Sequence, residues 1–348
     1  MIHHSRPTID SADIDAVSAV MESGSLAQGE QVAHFEAEIA NYVGIRSAVA
    51  VSSGTTALHL ALAALQIHPG DEVIIPSFIC TALLNAVRLV GATPILADCE
   101  ETHFNLSITD VKKRLSSRTK ALVVPHLFGQ AADLKELIGI GLPVIEDCAQ
   151  SLGSRYEERM TGSFGTLAVF SFYATKLLAT GEGGMVASSD IGLMESIRDL
   201  RDYDEKDDDR LRFNCKMTDM QAALGRSQLR RYSLFLKKRQ AIAHRYDEAF
   251  KMMGLDVPVT MKDRDHIYYR YVIRHKYAES LIRTMNNLGI SCRRPIYKPL
   301  HYYLRLNGFP ASESLWQQTL SLPIYPSLPE EEVEQIISSL VMLIEKGI

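Results

Sequence analysis

Short, continuously apolar segments alternate with helical segments along residues 47–188, and this alternation limits the folds that the chain can adopt. The segments are rich in β-branched residues and lack polar alternation, which is typical of parallel strands buried on both faces. The predicted strands are Ser47–Val51, Glu72–Ile75, Pro94–Ala97, Ala121–Val124, Pro143–Glu146, Leu167–Phe172 and Gly184–Ser188. Helices between these strands predict an α/β fold with a mostly parallel seven-stranded sheet.

Two helices are predicted before the first strand, over residues 10–23 and 30–43. The pattern changes after Arg210, where Met217–Arg239 has helical spacing of its apolar residues and is predicted to continue into a further helix. The remaining residues alternate less regularly and predict a smaller α+β unit. The helices and strand predicted beyond residue 240 are His244–Met253, Tyr268–Ile273 (the strand), Tyr277–Leu288, Glu313–Leu320 and Glu330–Glu345. We therefore expect a large domain over residues 1–235 and a small C-terminal domain over residues 236–348.

Charge and cysteine content exclude several classes of protein. The net charge is −5 with both signs interspersed, which gives no electrostatic reason to expect a nucleic-acid or membrane partner. No apolar run is long enough to span a bilayer, and the N-terminus does not have the pattern of a secretory signal. The five cysteines are scattered without metal-binding spacing, so neither a metal site nor a disulfide framework is predicted. These features predict a soluble cytoplasmic protein.

Candidate reactive residues follow the predicted strands, where open parallel sheets bind their ligands. Ser53–Thr56 joins a strand to a helix, so it forms either a helix cap or an anion-binding turn. Glu146–Asp147 ends another strand, with Gln150 nearby in the chain, and a carboxylate there can cap a helix or hold a proton on a ring nitrogen. Phe170–Lys176 places a lysine before a glycine-rich return at Thr180–Gly184. Taken alone that lysine is an ordinary solvated charge, but desolvation can make its amine a nucleophile.

The motifs around these residues are similar to those of one enzyme family. The sequence resembles the DegT/DnrJ/EryC1/StrS family of pyridoxal 5′-phosphate (PLP)-dependent sugar aminotransferases over nearly its whole length. The FSF-x-x-TK-x-x-x-x-GEGG stretch, together with the upstream ED-x-AQ, is the most specific part of the resemblance. The matching segments are SRPTI (5–9), SSGTTALHLAL (52–62), GDEVIIPSF (70–78), GATPILAD (91–98), HLFGQAADL (126–134), VIEDCAQSLG (144–153), FSFYATKLLATGEGGMV (170–186), FNCKMTDMQAALGRSQL (213–229), PIYKPLH (295–301) and LSLPIYPSL (320–328).

The resemblance implies a PLP-dependent transferase of fold type I, like aspartate aminotransferase, and a role for each matching residue. Lys176 is implied to hold PLP as a Schiff base and to move protons, and Asp147 to pair with the pyridine nitrogen. Gln150 is implied to pack near the ring hydroxyl. Asn214 matches an asparagine that reaches the neighbouring subunit's phosphate site, which implies a homodimer with shared active sites. The implied phosphate ligands are Gly54, Thr55 and Ser171.

Two positions depart from the family pattern. The residue expected to stack on the cofactor ring, often aromatic in the family, is Cys80, which is either that ring contact or a small buried residue. Ser25 replaces the usual aromatic residue of a loop that often lines the substrate site, so we expect an altered pocket. His126 and His301 have either structural or active-site roles. Positive charge near the substrate loop is expected from Arg293 and Arg294, which either meet an anionic substrate or are solvated.

The implied reaction moves an amino group from an amino-acid donor, glutamate by the resemblance, to the keto group of a nucleotide-linked sugar. A sugar dehydratase on the same fold is the nearest alternative, but such relatives replace the lysine with histidine, and Lys176 favours transamination. A non-catalytic PLP-binding regulatory protein is the alternative from another class. It is disfavoured because a sensor does not need the proton-transferring amine. A cyclitol or other ketone acceptor stays open.

Overall fold

A seven-stranded sheet lies at the centre of residues 1–347, the residues that the structure, a computed structural model, describes. Its strand order is β1-β9-β8-β5-β4-β2-β3, and β9 runs antiparallel to both of its neighbours while the other pairs are parallel. This confirms the predicted α/β class and the mostly parallel sheet. The strands of this sheet are β1 (Ser47–Val51), β2 (Glu72–Pro76), β3 (Thr93–Ala97), β4 (Thr119–Pro125), β5 (Val144–Asp147), β8 (Leu167–Ser171) and β9 (Gly184–Ser188). Two-residue strands β6 (Arg155–Tyr156) and β7 (Arg159–Met160) form a separate hairpin.

Helices cover both faces of the sheet. Along β1, Val49 and Val51 pack into the apolar cluster that contains the helices at residues 54–64 and 81–89, whereas Ala48 and Ala50 pack into the cluster that contains the helices at residues 30–43 and 219–230. Because both sets are buried, the strand has no polar face, as its sequence predicts. The helices of this part of the chain are α1 (Ser11–Ser23), α2 (Glu30–Val43), α3 (Gly54–Ala64), α4 (Thr81–Leu89), α5 (Ile108–Arg114), α6 (Leu134–Ile138), α7 (Ile191–Arg201) and α8 (Asp219–Arg230).

The C-terminal part of the chain has its own apolar cluster, built around the antiparallel pair β10 (Tyr271–Arg274) and β11 (Thr319–Leu322). Ile2 joins this cluster, and its N–H donates to the carbonyl of Gly289 at 2.8 Å. The division of the chain at residue 235 stays a prediction. None of the helices within residues 1–347 combines the length and the apolarity needed to cross a membrane. The helices of this part are α9 (Tyr232–Met252), α10 (Ala278–Asn287), α11 (Leu300–Leu304), α12 (Pro310–Gln318) and α13 (Glu330–Glu345).

The prediction of one uninterrupted helix over Met217–Arg239 is wrong, because Arg231 separates α8 from α9. Its backbone (φ −108°, ψ 5°) leaves the helical region. The Arg231 guanidinium pairs with Asp10 and with Asp13 at the start of α1. Helix α8 packs against α1 and α2, whereas α9 packs against α13. The two helices therefore pack against different parts of the molecule, and the helical spacing of apolar residues alone does not show this.

Two boundaries in the C-terminal part also differ from the prediction. The strand predicted at Tyr268–Ile273 begins only at Tyr271, because Tyr268 has a left-handed backbone (φ +51°). The helix predicted at Glu313–Leu320 ends at Gln318, and the following residues form β11. Short apolar runs fit either a helix or a strand, and here the pairing of β11 with β10 decides.

Candidate active site

The Asp147 carboxylate is buried at the C-terminal end of β5. One of its oxygens accepts a hydrogen bond from the Ala149 N–H at 3.0 Å, and no side chain within residues 1–347 forms a salt bridge with it. Burial raises the pKa of Asp147, while the Ala149 hydrogen bond and the positive charge of Lys176 oppose that shift. The carboxylate therefore lacks a direct cationic partner, and a protonated ring nitrogen can supply one.

The turn between β1 and α3 has the form of an anion-binding site. Ser53 caps α3, since its hydroxyl accepts a hydrogen bond from the Thr56 N–H at 3.1 Å. The N–H groups of Gly54 and Thr55 have no acceptor within the described part of the chain. A Cβ atom on Gly54 would lie 2.7 Å from Cβ of Ser171, so only glycine lets the end of β8 approach this closely. Two free N–H groups at a helix N-terminus beside a serine hydroxyl suit a phosphate.

Lys176 lies in the loop between β8 and β9, which closes on itself through backbone hydrogen bonds. The Ala174 N–H donates to the Gly181 carbonyl at 2.9 Å, and the Lys176 N–H donates to the Tyr173 carbonyl at 2.8 Å. Gly181 has a left-handed backbone (φ +83°), which explains the glycine at this position of the return. The Lys176 Nζ lies 5.0 Å from the centroid of the Tyr269 ring. Lys176 is partly buried and forms no salt bridge with residues 1–347, so its amine is available for chemistry.

Tyr269 lies beside Lys176, and the sequence interpretation did not include it among the candidate site residues. Burial raises its pKa, but the charges of Lys176 and Arg270, a hydrogen bond with Thr175 and the charge of Arg239 outweigh burial and lower the pKa to about 8. No motif marks this residue, and its aromatic neighbours predicted a strand. Its position beside Lys176 depends on the packing of the C-terminal part against the sheet.

Gln150 and Cys80 are the two other residues that the resemblance implies as contacts of the cofactor ring. The Gln150 side-chain oxygen accepts a hydrogen bond from the Phe128 N–H at 2.9 Å, which fixes the amide beside the loop after β4. Cys80 is exposed directly before α4 and lines a cavity of about 760 Å³ that also contains Arg270. The interpretation of Cys80 as a small buried residue is therefore wrong. Its contact with the cofactor ring, and that of Gln150 with the ring hydroxyl, stay predictions.

Asn214 and Ser25 are both exposed. Asn214 precedes Cys215, whose carbonyl accepts a hydrogen bond from the Ser52 N–H at 2.9 Å, so this loop passes the end of β1. The reach of Asn214 into a second subunit stays a prediction. Ser25 lines a cavity of about 1160 Å³ between α1 and α8, separate from the cavity that contains Cys80. Cys80 and Ser25, the two departures from the family pattern, therefore line different cavities of the same chain.

His126 has a structural role in the core. Its Nδ1 accepts a hydrogen bond from the Ala132 N–H at 3.1 Å, so Nε2 carries the hydrogen and donates to Glu146 at 3.0 Å. Glu146 also accepts three backbone N–H groups; burial raises its pKa, but these contacts and His126 lower it below the usual value. Ligand atoms of His126, Glu146 and Cys148 lie within 4.8 Å of one another. The hydrogen bonds already engage the imidazole and the carboxylate, so we assign no metal to this group.

His301 is also structural. It is fully buried, its Nδ1 lies 2.7 Å from the Ser77 hydroxyl, and its ring stacks on Phe309 with centroids 5.0 Å apart. These contacts give His301 a packing role, and it is not among the residues that line the cavity containing Cys80. Arg293 and Arg294, in contrast, both line the cavity that contains Cys80. Of the polar residues expected near the substrate loop, the arginines are the ones that face a cavity.

The arrangement fits PLP. The anion-binding turn and Ser171 suit its phosphate, and the unpaired Asp147 carboxylate suits its protonated pyridine nitrogen. The amine of Lys176 lies close enough to contribute to the electrostatics of Asp147. All three features come from the ends of β1, β5 and β8, which are brought to one edge by the order of the sheet.

Comparison with known proteins gives the same assignment. The family model described as DegT/DnrJ/EryC1/StrS aminotransferase family matches residues 7–341. The spore coat polysaccharide biosynthesis protein SpsC of Bacillus subtilis is 36% identical, with 97% of this chain and 95% of SpsC covered. The dTDP-3-amino-3,4,6-trideoxy-alpha-D-glucose transaminase of Micromonospora megalomicea is 33% identical, with 94% of each chain covered.

A solved structure shows the same fold with the cofactor. The PLP form of Spr1654 from Streptococcus pneumoniae superimposes with a TM-score of 0.94 at 26% identity, covering 100% of this chain and 99% of that one. The match extends over the sheet, the site and the C-terminal part. The chain therefore belongs to the DegT/DnrJ/EryC1/StrS aminotransferase family and is a PLP-dependent enzyme.

Proposed function

We propose that the protein transfers an amino group from an amino-acid donor, glutamate, to the keto group of a nucleotide-linked sugar in amino-sugar biosynthesis. The observation that carries this proposal is the buried Asp147 carboxylate, which has no salt-bridge partner within residues 1–347 and lies in the field of the Lys176 amine. The relative from M. megalomicea, named as a transaminase of a dTDP-linked sugar, supports the class of acceptor.

Each site residue has a definite task in this reaction. PLP, when bound, supplies a protonated ring that withdraws electrons from the carbon bearing the transferred amine. Asp147 would hold the ring nitrogen and keep it protonated. The Lys176 Nζ would move a proton from the amino-donor carbon to C4′ of the cofactor, and in the second half-reaction from C4′ to the carbon of the keto sugar, acting as general base and then general acid. The N–H groups of Gly54 and Thr55 and the hydroxyl of Ser171 would hold the phosphate.

Lys176 favours amino transfer over the two other activities that the sequence left open. A dehydratase of this fold is expected to carry histidine at this position, and a regulatory protein has no need of a proton-transferring amine. The ketone acceptor is proposed to be nucleotide-linked because of the relative's name. A cyclitol acceptor is tested by adding it to the aminated enzyme in the spectroscopic assay described below.

We further propose a cytoplasmic homodimer in which Asn214 of each subunit contributes to the phosphate site of the other. The exposure of Asn214 supports this arrangement, since the side chain is free to meet a second chain. All five cysteines are free thiols, which suits a reducing compartment. The division into domains at residues 1–235 and 236–348 is part of the same proposal.

The direct test is spectroscopic. Purified protein is expected to be yellow, to lose that colour with borohydride, and to change its visible spectrum when glutamate is added. A panel of nucleotide-linked keto sugars is then added to the aminated form, and return of the original spectrum identifies the acceptor. A yellow protein whose spectrum responds to no amino donor contradicts the proposal and favours a binding protein.

A further inference from the structure

The cavity that contains Cys80 has a positively charged wall. It measures about 760 Å³, and the side chains of Arg270, Arg293, Arg294 and Lys298 line it. Glu279 is the acidic residue among its lining residues. The excess of positive charge indicates an anionic ligand.

One of these cations already has a carboxylate partner. The Arg294 Nη2 donates to Glu279 at 2.8 Å, and its guanidinium lies over the Trp316 ring, 4.6 Å from the centroid. These contacts hold Arg294 against the wall of the cavity and neutralise its charge. Arg294 therefore does not need a ligand to be stable in this position.

Arg270 and Arg293 have no such partner among residues 1–347. The Arg270 Nη1 lies 3.3 Å from Nε2 of His4, and burial together with the charges of both arginines lowers the pKa of His4 well below its usual value, so this histidine is neutral. Burial and the charge of Arg270 also lower the pKa of Arg293, so the two guanidinium groups are close enough to repel each other. An anion between them removes that repulsion.

The position of Arg270 relative to Lys176 indicates which anion is bound. The Lys176 Nζ and the Arg270 Cζ lie 5.0 Å and 5.4 Å from the centroid of the same ring, that of Tyr269. A charge held by Arg270 therefore lies beside the same ring as the Lys176 amine. The α-carboxylate of an amino acid is attached to the very carbon that carries the amine. The diphosphate of a nucleotide-linked sugar is separated from a keto carbon by part of the sugar ring.

We propose that Arg270 and Arg293 bind the two carboxylates of a dicarboxylic amino donor, with the α-carboxylate at Arg270 and the distal carboxylate at Arg293. This rests on the proposed function. Guanidinium groups pair with carboxylates through two parallel hydrogen bonds, which gives both charge and geometry for recognition. Arg293 is held in place for this contact, because its backbone exchanges two hydrogen bonds with Ser321, at 2.8 Å and 3.3 Å.

The test measures the two half-reactions of the holoenzyme separately. For Arg270→Leu and Arg293→Leu, the glutamate concentration that gives half-maximal conversion of the bound cofactor is expected to rise roughly 10- to 100-fold, the loss of one charged hydrogen-bonded contact. Lysine at either position keeps the charge and is expected to give a smaller rise. Arg294→Leu is the matched control, and its glutamate dependence is expected to stay within about threefold of wild type because Glu279 already pairs with it.

The second half-reaction distinguishes the two substrates. With the aminated holoenzyme, the keto-sugar concentration that gives half-maximal return of the original visible spectrum is expected to be unchanged in both leucine variants. The inference is overturned if glutamate saturates these variants as it does the wild type, or if they lose affinity for the sugar instead. A wild-type spectrum that responds to no amino donor contradicts the proposed function itself, which is a different result. If a leucine variant does not retain PLP, the inference is tested instead by the glutamate dependence of the lysine variants and by inhibition of the wild type by glutarate.

Discussion

At the scale of single residues, Lys176 is the group on which turnover depends most. Lys176→Ala is expected to lower kcat by at least about a thousandfold, because both proton transfer and the covalent hold on the cofactor are removed. PLP is still expected to bind through the phosphate turn and Asp147. Steady-state turnover and borohydride labelling of the wild type at Lys176 check this. Undiminished turnover in the variant contradicts the assignment.

Tyr269 gives a prediction about pH in the cofactor-free protein. Its pKa of about 8 lies below the usual value of about 10 for tyrosine, so the folded state favours the phenolate. The resulting stabilisation is fully present above about pH 10 and is lost as pH falls through about 8. Lys176→Ala removes one of the positive charges near the ring and is expected to raise the pKa of Tyr269.

The measurement is the ultraviolet absorbance of the phenolate, taken as the difference between each protein and the same protein with Tyr269→Phe. This subtraction isolates one tyrosine among the 14 in the sequence. The groups that act on the ring, besides Lys176, are Arg270, Arg239 and the hydroxyl of Thr175. A difference titration near pH 10 in the wild type, or the same midpoint with and without Lys176, contradicts the prediction.

At the scale of elements, Asp219 joins the start of α8 to the start of α2. Its buried carboxylate accepts hydrogen bonds from the N–H groups of Gly29, Gln31 and Val32, at 2.8, 3.2 and 3.0 Å. Asp219→Ala leaves these donors unpaired and is expected to lower the free energy of unfolding by about 2–4 kcal/mol. Urea unfolding measures the change. Asp219→Asn keeps an acceptor and is expected to cost less; equal losses in both variants would show that the hydrogen bonds are not the cause.

The strands of the sheet were predictable because the residues that identify each strand lie within that strand's own sequence. A strand such as β1 is buried on both faces, so its residues are all apolar and the strand is evident without any partner. The break at Arg231 was not predictable, because the helical pattern continues across it and its ion pairs with Asp10 and Asp13 join residues far apart in the sequence. Propensity does not register such distant contacts.

The same distinction applies to the site. Asp147 and Lys176 were found because they follow strands and stand in specific motifs. Tyr269 and Arg270 were missed as a pair, because they reach the site only after the C-terminal part packs against the sheet. Their segment reads as a strand, yet β10 starts just after it. The residues that we propose to recognise the donor are thus set by tertiary packing rather than by a motif.

At the scale of the whole molecule, the proposed sharing of active sites between two subunits predicts complementation. Lys176→Ala and Asn214→Ala proteins are each expected to have low activity. In a hybrid dimer, one active site contains both substitutions. The other site combines the unchanged Lys176 of one subunit with the unchanged Asn214 of its neighbour, so it is intact. Equal mixing with exchange of subunits is therefore expected to restore about a quarter of wild-type activity, since half of the dimers are hybrids with one intact site.

The control for complementation mixes the Lys176→Ala protein with a second protein that carries both substitutions. No hybrid of that mixture contains an intact site, so activity is expected to stay at the level of the single variants. Sedimentation and tagged subunits verify that hybrids form in both mixtures. Verified hybrids without recovered activity in the first mixture would mean that each subunit completes its own phosphate site. Asn214 would then act within its own chain, from the loop whose backbone already contacts the end of β1.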